Sequence, residues 1–191
     1  MKIGVLALQG DVREHLAALE AAEATGVAVK QPHELAAVDG LIVPGGESTT
    51  IGKLLHRFGL LEPISQRARR GMPLFGTCAG MILMAADVAG SQAAPFRFGV
   101  MDIVVRRNAY GRQTESFEAD VEVKSFDEPF RAVFIRAPVV ERTGEKVEVL
   151  ATCEGEPVLV REENLYASSF HPEMTADARI HKLFVQTARD G

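Results

Sequence analysis

Cys78 stands between two glycines in Gly76-Thr77-Cys78-Ala79-Gly80, preceded by the apolar run Met72-Pro73-Leu74-Phe75 and followed by Met81-Ile82-Leu83-Met84-Ala85-Ala86. A short buried strand that hands over to a helix through such a turn forms a nucleophile elbow, here with sulfur at its apex. The turn strains its central residue and exposes its side chain, so the positions two before and two after must be small. Gly76 and Gly80 meet that demand. The thiol also faces the first turn of the following helix, where unpaired N–H groups favour a thiolate. A buried structural cysteine is the alternative use of a lone Cys in an apolar run.

A base for such a nucleophile is offered by Ser168-Ser169-Phe170-His171-Pro172-Glu173, at the end of a strand-like Leu165 to Ala167. Alternate residues of an extended segment point the same way, so His171 can face the thiol while Glu173 reaches its second ring nitrogen. Pro172 keeps His171 out of helical geometry. Nucleophile, base and orienting carboxylate are the parts that covalent acyl transfer needs. Taken alone, His-Pro-Glu also suits a solvated loop.

The remaining histidines, His15, His33, His56 and His181, fall in predicted helices or a connection, away from any strand-end carboxylate. No Cys/His pair has zinc-ligand spacing, and no metal or cofactor is expected. Pro44-Gly45-Gly46-Glu47-Ser48-Thr49-Thr50 suggests a phosphate loop, but Gly52-Lys53 is followed by Leu54, without the hydroxyl that would hold magnesium. It reads instead as a nest of backbone N–H groups able to bind a carboxylate or an oxyanion.

The elements that must position these groups alternate through the first half. Ile3 to Leu8 is a continuous apolar strand, and Asp11 is an N-cap candidate for a helix carrying Val12, Leu16, Leu19 and Ala22, with Gly26 as its stop. Val27 to Lys30 and Leu41 to Val43 read as further strands, and a helix carries Ile51, Leu54, Leu55 and Phe58. Such uninterrupted apolar runs suit a parallel sheet covered on both faces. After about Ala89 the pattern turns to short alternating strands, Phe117 to Val123, Val133 to Ile135, Val147 to Ala151 and Val158 to Val160, with a hairpin turn at Cys153 to Glu156; Asp177 to Ala188 closes as a helix. The expected fold is a flavodoxin-like open, mostly parallel α/β sheet with helices on both faces and antiparallel strands added in the second half. One domain, 1–191, is expected.

With 191 residues, 47% hydrophobic and 25% charged, the composition is that of an ordinary globular chain. A net charge of −5 without large basic clusters makes nucleic acid a poor partner. No apolar run approaches the roughly 20 residues that span a bilayer, and two cysteines make no disulfide framework, so no membrane association and a reducing cytoplasmic location are expected.

Taken together, Cys78, His171, Glu173 and the Gly45-Gly46 turn resemble the class I (triad) glutamine amidotransferases. Further segments, Leu8-Gln9-Gly10, Arg13-Glu14-His15, Arg107-Asn108, Tyr110 to Gln113, Ser116 to Asp120 and Phe134-Ile135-Arg136-Ala137-Pro138, are similar to the branch of that family that serves pyridoxal 5′-phosphate synthase. The resemblance runs from Lys2 to the last helix. It implies that Cys78 attacks the side-chain carboxamide of L-glutamine, that His171 shuttles the proton and that Glu173 orients His171. It further implies that Gly46, Glu47, Ser48, Arg107, Ile135 and Arg136 bind glutamine, and that Gly46 and Ala79 stabilise the oxyanion. The implied partner is a (β/α)8-barrel synthase subunit in a large hetero-oligomer that consumes the ammonia. The chain departs from the family's usual pattern at Met81 and at Pro95-Phe96-Arg97-Phe98. A flavodoxin-like cysteine chaperone or peptidase without glutaminase activity is the rival class.

Overall fold

The computed structural model describes residues 1–90, 96–107 and 116–190. Its first half alternates: β1 (Lys2–Leu6), α1 (Val12–Ala21), β2 (Thr25–Val29), α2 (Pro32–Leu35), β3 (Gly40–Val43), α3 (Ser48–Arg57), α4 (Leu61–Arg69), β4 (Leu74–Thr77) and α5 (Ala79–Met84). Strands then dominate: β5 (Ala85–Ala89), β6 (Met101–Arg106), β7 (Ser116–Val121), β8 (Phe130–Ile135), β9 (Val139–Thr143), β10 (Glu148–Cys153), β11 (Glu156–Glu162) and β12 (Leu165–Ser168). A 3-10 turn (Pro172–Met174) and α6 (Arg179–Asp190) complete the described chain.

Seven strands form one sheet in the order β10-β11-β12-β4-β3-β1-β2. The five from β12 to β2 are parallel, and β11 and β10 extend the sheet antiparallel. The parallel part has the flavodoxin order, and ligands of such sheets bind beyond the carboxyl ends of the strands near the point where strand order reverses, here between β1 and β3. Period-two alternation gives the sheet a core on each face. Leu41, Val43, Leu74, Leu165 and Ala167 join a core with Ile51 and Leu55 of α3 and Ile64 of α4. Ile42, Phe75 and Tyr166 join the opposite core, with Leu19 of α1 and Ile180 and Phe184 of α6.

The second half departs from the expected pattern in two ways. The helix after Cys78 stops at Met84, and Ala85–Ala89 is a strand, parallel to β6, in a separate three-stranded sheet with β9. The run of apolar residues suits either element; what decides is that Ala85 turns extended, with φ −60° and ψ 139°, so the chain joins β6 rather than continuing the helix. Secondly, β7 and β8 pair with each other rather than joining the main sheet. The hairpin expected at Cys153 to Glu156 is present, with Glu154 at φ 52° and Gly155 at φ 86°, as a two-residue turn of the I′ kind needs. Of the segment 95–98, Phe96, Arg97 and Phe98 are described; Pro95, Asn108 and Tyr110 to Gln113 lie outside the described residues.

The β7/β8 ribbon has one consequence for the site. Phe170 packs its ring against Phe130 and Phe134 of β8, with centroids 5.7 Å away in each case. All three rings are fully buried, and burying a side chain of this size is worth about 1.5–3 kcal/mol. The His171 N–H donates to Val133 O at 2.8 Å, so the residue after Phe170 is held to β8 by its backbone as well.

Candidate active site

Cys78 follows β4 and is the N-cap residue of α5, at φ 49° and ψ −102°. A non-glycine residue held at positive φ costs about 1–3 kcal/mol and persists where its surroundings impose it. Those surroundings are visible. The Cys78 N–H donates to Ser168 O at 2.8 Å, tying the turn to β12. A side chain at Gly76 would meet the Gly80 backbone at 2.5 Å, and one at Gly80 would run into Val43 O of β3. The two small positions are therefore dictated by the packing of β4, α5 and β3 on one another.

His171 comes off β12 beside this turn. Its Nδ1 lies 2.8 Å from Glu173 Oε1, and the Cys78 thiol lines the same cleft and raises the basicity of the ring. Glu173 is buried in the 3-10 turn that Pro172 opens. Asp11 is also within reach, with Oδ2 3.4 Å from Nδ1. Burial works to lower the basicity of His171, but hydrogen bonds to Asp11, the thiol and Glu173 outweigh it and push the imidazole up to about 12. Burial raises Glu173 against the pull of His171, yet the short bond to a protonated ring favours the carboxylate–imidazolium form of the pair.

The cleft in front of these groups measures about 450 Å³. Gly46, Glu47 and Ser48 line it from the β3–α3 turn, Ala79 from the start of α5, Arg107 from beyond β6, and Ile135 and Arg136 from the end of β8. All the residues expected to bind substrate thus meet at the carboxyl ends of the parallel strands, at the end of β6 or on the ribbon beside them. Arg107 Nε is buried without a partner among the described residues. A carboxylate ligand is the natural acceptor for such a charged donor. Gly46 sits at φ 148°, and a side chain there would stand 2.6 Å from Gln9 Oε1.

One of these residues does more than the sequence showed. Glu47 caps α3, accepting from the Thr49 N–H at 2.9 Å and the Thr50 N–H at 2.7 Å. Desolvation opposes ionisation, but the bonds from Thr50 and Thr49 prevail and hold its carboxyl at about 2. Its own N–H donates to Gln9 Oε1 at 3.0 Å, so this peptide of the turn is committed to Gln9.

Three site features were missed in the sequence. Asp11 occupies the N-cap position of α1, but its side chain makes no cap bond and turns towards His171 instead. Gln9 lines the cleft. His15, read as an ordinary helix histidine, is fully buried behind the site with Nε2 3.5 Å from Glu173 Oε2, and His181 of α6 lies 3.0 Å from its Nδ1. The one available signal was the nearness of Asp11 and His15 to the end of a parallel strand, where such sheets bind their ligands. Asp11, His171 and Glu173 place potential ligand atoms within 4.8 Å of one another. A cation there would have to displace the proton held between His171 and Glu173.

Residues 5–190 match the model of the SNO glutamine amidotransferase family. The chain belongs to that family. It is 58% identical over 189 residues to "Pyridoxal 5′-phosphate synthase subunit PdxT" of Frankia casuarinae, covering 98% of this chain and 95% of the relative. The protein of the same name from Mycobacteroides abscessus is 52% identical over 189 residues, covering 99% and 98%. A solved "glutamine amidotransferase" superposes with a TM-score of 0.93 at 50% identity, covering 98% of each chain. PurLQS from Thermotoga maritima, at 17% identity and a TM-score of 0.66, shares the fold, covering 99% of this chain and 97% of that one. The cleft of this SNO family member is therefore the candidate site of glutamine amide chemistry.

Proposed function

We propose that the chain hydrolyses L-glutamine to L-glutamate and ammonia through a γ-glutamyl thioester on Cys78, and that the ammonia passes to a pyridoxal 5′-phosphate synthase partner. The observation that carries the chemistry is the 2.8 Å bond between His171 Nδ1 and the Glu173 carboxylate at the cleft that the Cys78 thiol also lines. The raised basicity of His171 fits it to accept the thiol proton as sulfur attacks. Sulfur attacks the carboxamide carbon, the C–N bond breaks, and His171 gives its proton to the departing ammonia. Water then attacks the thioester, its proton passing to His171 as sulfur leaves. Glu173 holds Nδ1–H throughout and balances the imidazolium charge. Backbone N–H groups at Gly46 and Ala79 are assigned to the oxyanion, Arg107 to the α-carboxylate, and Glu47, Ser48, Ile135 and Arg136 to the rest of glutamine.

The partner follows from the names of the relatives, which are called synthase subunits. We read residues 1–191 as one glutaminase unit working in the cytoplasm. Among the described residues no helix is long and apolar enough to cross a membrane. Control is assigned to the Gly45-Gly46 turn. Its Glu47 N–H is held by Gln9, and Gly46 can reorient without a Cβ penalty. Completing an oxyanion hole is worth roughly 2.7–4 kcal/mol, a hundredfold or more in rate.

The test is ammonia release at saturating glutamine across a titration of the barrel synthase, with wild-type chain and Cys78→Ala. Weak activity alone, a large rise with synthase and none from Cys78→Ala are expected. Full activity without synthase rejects the gating; substantial turnover by Cys78→Ala rejects the nucleophile.

A further inference from the structure

Behind the cleft, a line of buried polar groups runs away from the thiol and is not used by the chemistry above. Glu173 faces His171 with Oε1, while its Oε2 is buried and makes no hydrogen bond among the described residues. The nearby donor is His15 Nε2, at 3.5 Å, which is shared with Thr77 Oγ1 at 3.2 Å. His15 Nδ1 meets His181 Nε2 at 3.0 Å, and His181 Nδ1 is buried without a partner among the described residues. His15, His181 and the Glu173 side chain are shut off from solvent.

One assignment of protons satisfies this line. An ionised carboxylate only accepts, so His15 must carry its proton on Nε2 if it is to support Glu173. Its bare Nδ1 then accepts from His181 Nε2–H, and His181 is left with a bare Nδ1. The opposite assignment would point a lone pair of His15 at the carboxylate and bury an unpaired N–H on His181. Burial lowers both histidines, His15 further still through the neighbouring imidazoles, and so keeps the pair neutral as this assignment requires.

We propose that His15 is a positioning residue for the reaction: with the tautomer set by His181, its Nε2–H faces the second oxygen of Glu173 at 3.5 Å and, without a hydrogen bond to it, restrains the carboxylate electrostatically in the orientation that aligns His171 with Cys78. A carboxylate pinned at one oxygen can rotate about its side-chain torsions and carry the imidazole with it. A donor facing the second oxygen at 3.5 Å disfavours that rotation. Groups that orient a ligand or base from behind typically change rates by about 10- to 100-fold when removed. The inference rests on the thioester reading, in which Glu173 orients His171.

The experiment measures kcat and KM for glutamine with the barrel synthase present in excess. The variants are His15→Leu, His15→Gln, His15→Asn, Glu173→Ala and the double variant His15→Leu/Glu173→Ala. Gln keeps a donor near the Nε2 position, whereas Asn keeps polarity near Nδ1 and loses the reach to Glu173. His15→Leu should lower kcat about 10- to 100-fold with KM nearly unchanged. His15→Gln should recover most of the rate and His15→Asn little of it. In the Glu173→Ala background the His15→Leu change should cost about twofold or less, because its target is gone.

An equal kcat loss with and without the Glu173 carboxylate would make His15 structural and overturn the proposal, as would wild-type kcat in His15→Leu. Should His15→Leu fail to fold, the Gln/Asn contrast decides, and equal rates or Asn above Gln overturn it. Cys78→Ala, run alongside, separates the two readings: if it is inactive while His15→Leu is fully active, the His15 inference alone fails, whereas an active Cys78→Ala removes the thioester reading itself.

Discussion

Replacing Gly45 by Ala should separate catalysis from stability. A Cβ built at Gly45 stands 3.0 Å from His171 Nδ1, closer still to Cε1 of the same ring, and 3.1 Å from Asp11 Oδ2. Gly45 is not among the glycines with positive φ, so Ala adds no backbone strain, and a compatible Gly→Ala change stabilises by about 0.4–1 kcal/mol through the unfolded chain. The cost falls on the imidazole instead. Relief of the contact with Cε1 requires a shift of roughly one to one and a half ångströms, since carbon atoms pack at about 3.5–4.0 Å. Moving the ring along the line away from Gly45 alters its 2.8 Å bond to Glu173 and its alignment with the thiol. A misplacement of about 1 Å is worth on the order of a hundredfold in rate, or about 2.7 kcal/mol of barrier. Glutaminase assays with synthase should therefore show kcat down about a hundredfold, while the thermal midpoint changes by only a few degrees. Wild-type kcat in a folded Gly45→Ala protein would refute the claim that the turn packs on a working His171.

On the proposed thioester route, in which His171 acts in both half-reactions and Glu173 orients it, His171→Asn should reduce ammonia release more than Glu173→Gln, and the latter should also alter the pH dependence of kcat; full activity in both would make the His-Pro-Glu segment structural. Stability should respond to acid through the buried histidines. Burial lowers His181 from 6.5 to about 4, so between those values the unfolded chain binds a proton that the folded chain refuses, and the penalty grows as pH falls, reaching about 3 kcal/mol near pH 4. His171, raised to about 12, has already contributed its full stabilisation below pH 6.5 and adds no slope there, whereas Glu173, raised by burial, slopes the other way. The readout is thus the difference between wild type and His181→Phe in urea unfolding from pH 7 to pH 4. The variant should lose part of the acid destabilisation, and parallel curves would refute the assignment.

Much of the site was legible because its constraints are local. An elbow needs small residues two positions to either side of its apex, and Gly76 and Gly80 announce this whatever lies around them, although the structure supplies the reason in the Gly80 backbone and Val43 O. His171 and Glu173 are two residues apart, so their pairing needs only local chain, although Pro172–Met174 forms a 3-10 turn rather than the extended step expected. The parallel half of the sheet was readable from uninterrupted apolar runs, since strands covered on both faces leave no polar side. The boundaries of α5 were not, because an apolar run satisfies a helix and a buried strand equally, and pairing with β6 decided between them.

Partnership across long sequence separations was closed to the sequence. Asp11 has the residue type and position of a helix cap, yet its carboxylate goes to His171, which arrives from the other end of the chain. His15 and His181 each look like one histidine on an amphipathic helix. They meet because α1 and α6 cover the same face of the sheet, where a polar group can be buried only with another polar group to hold it. Residue type and spacing thus determined which groups could do chemistry at Cys78, while the order of the strands and the packing of helices on them decided which other groups stand behind it.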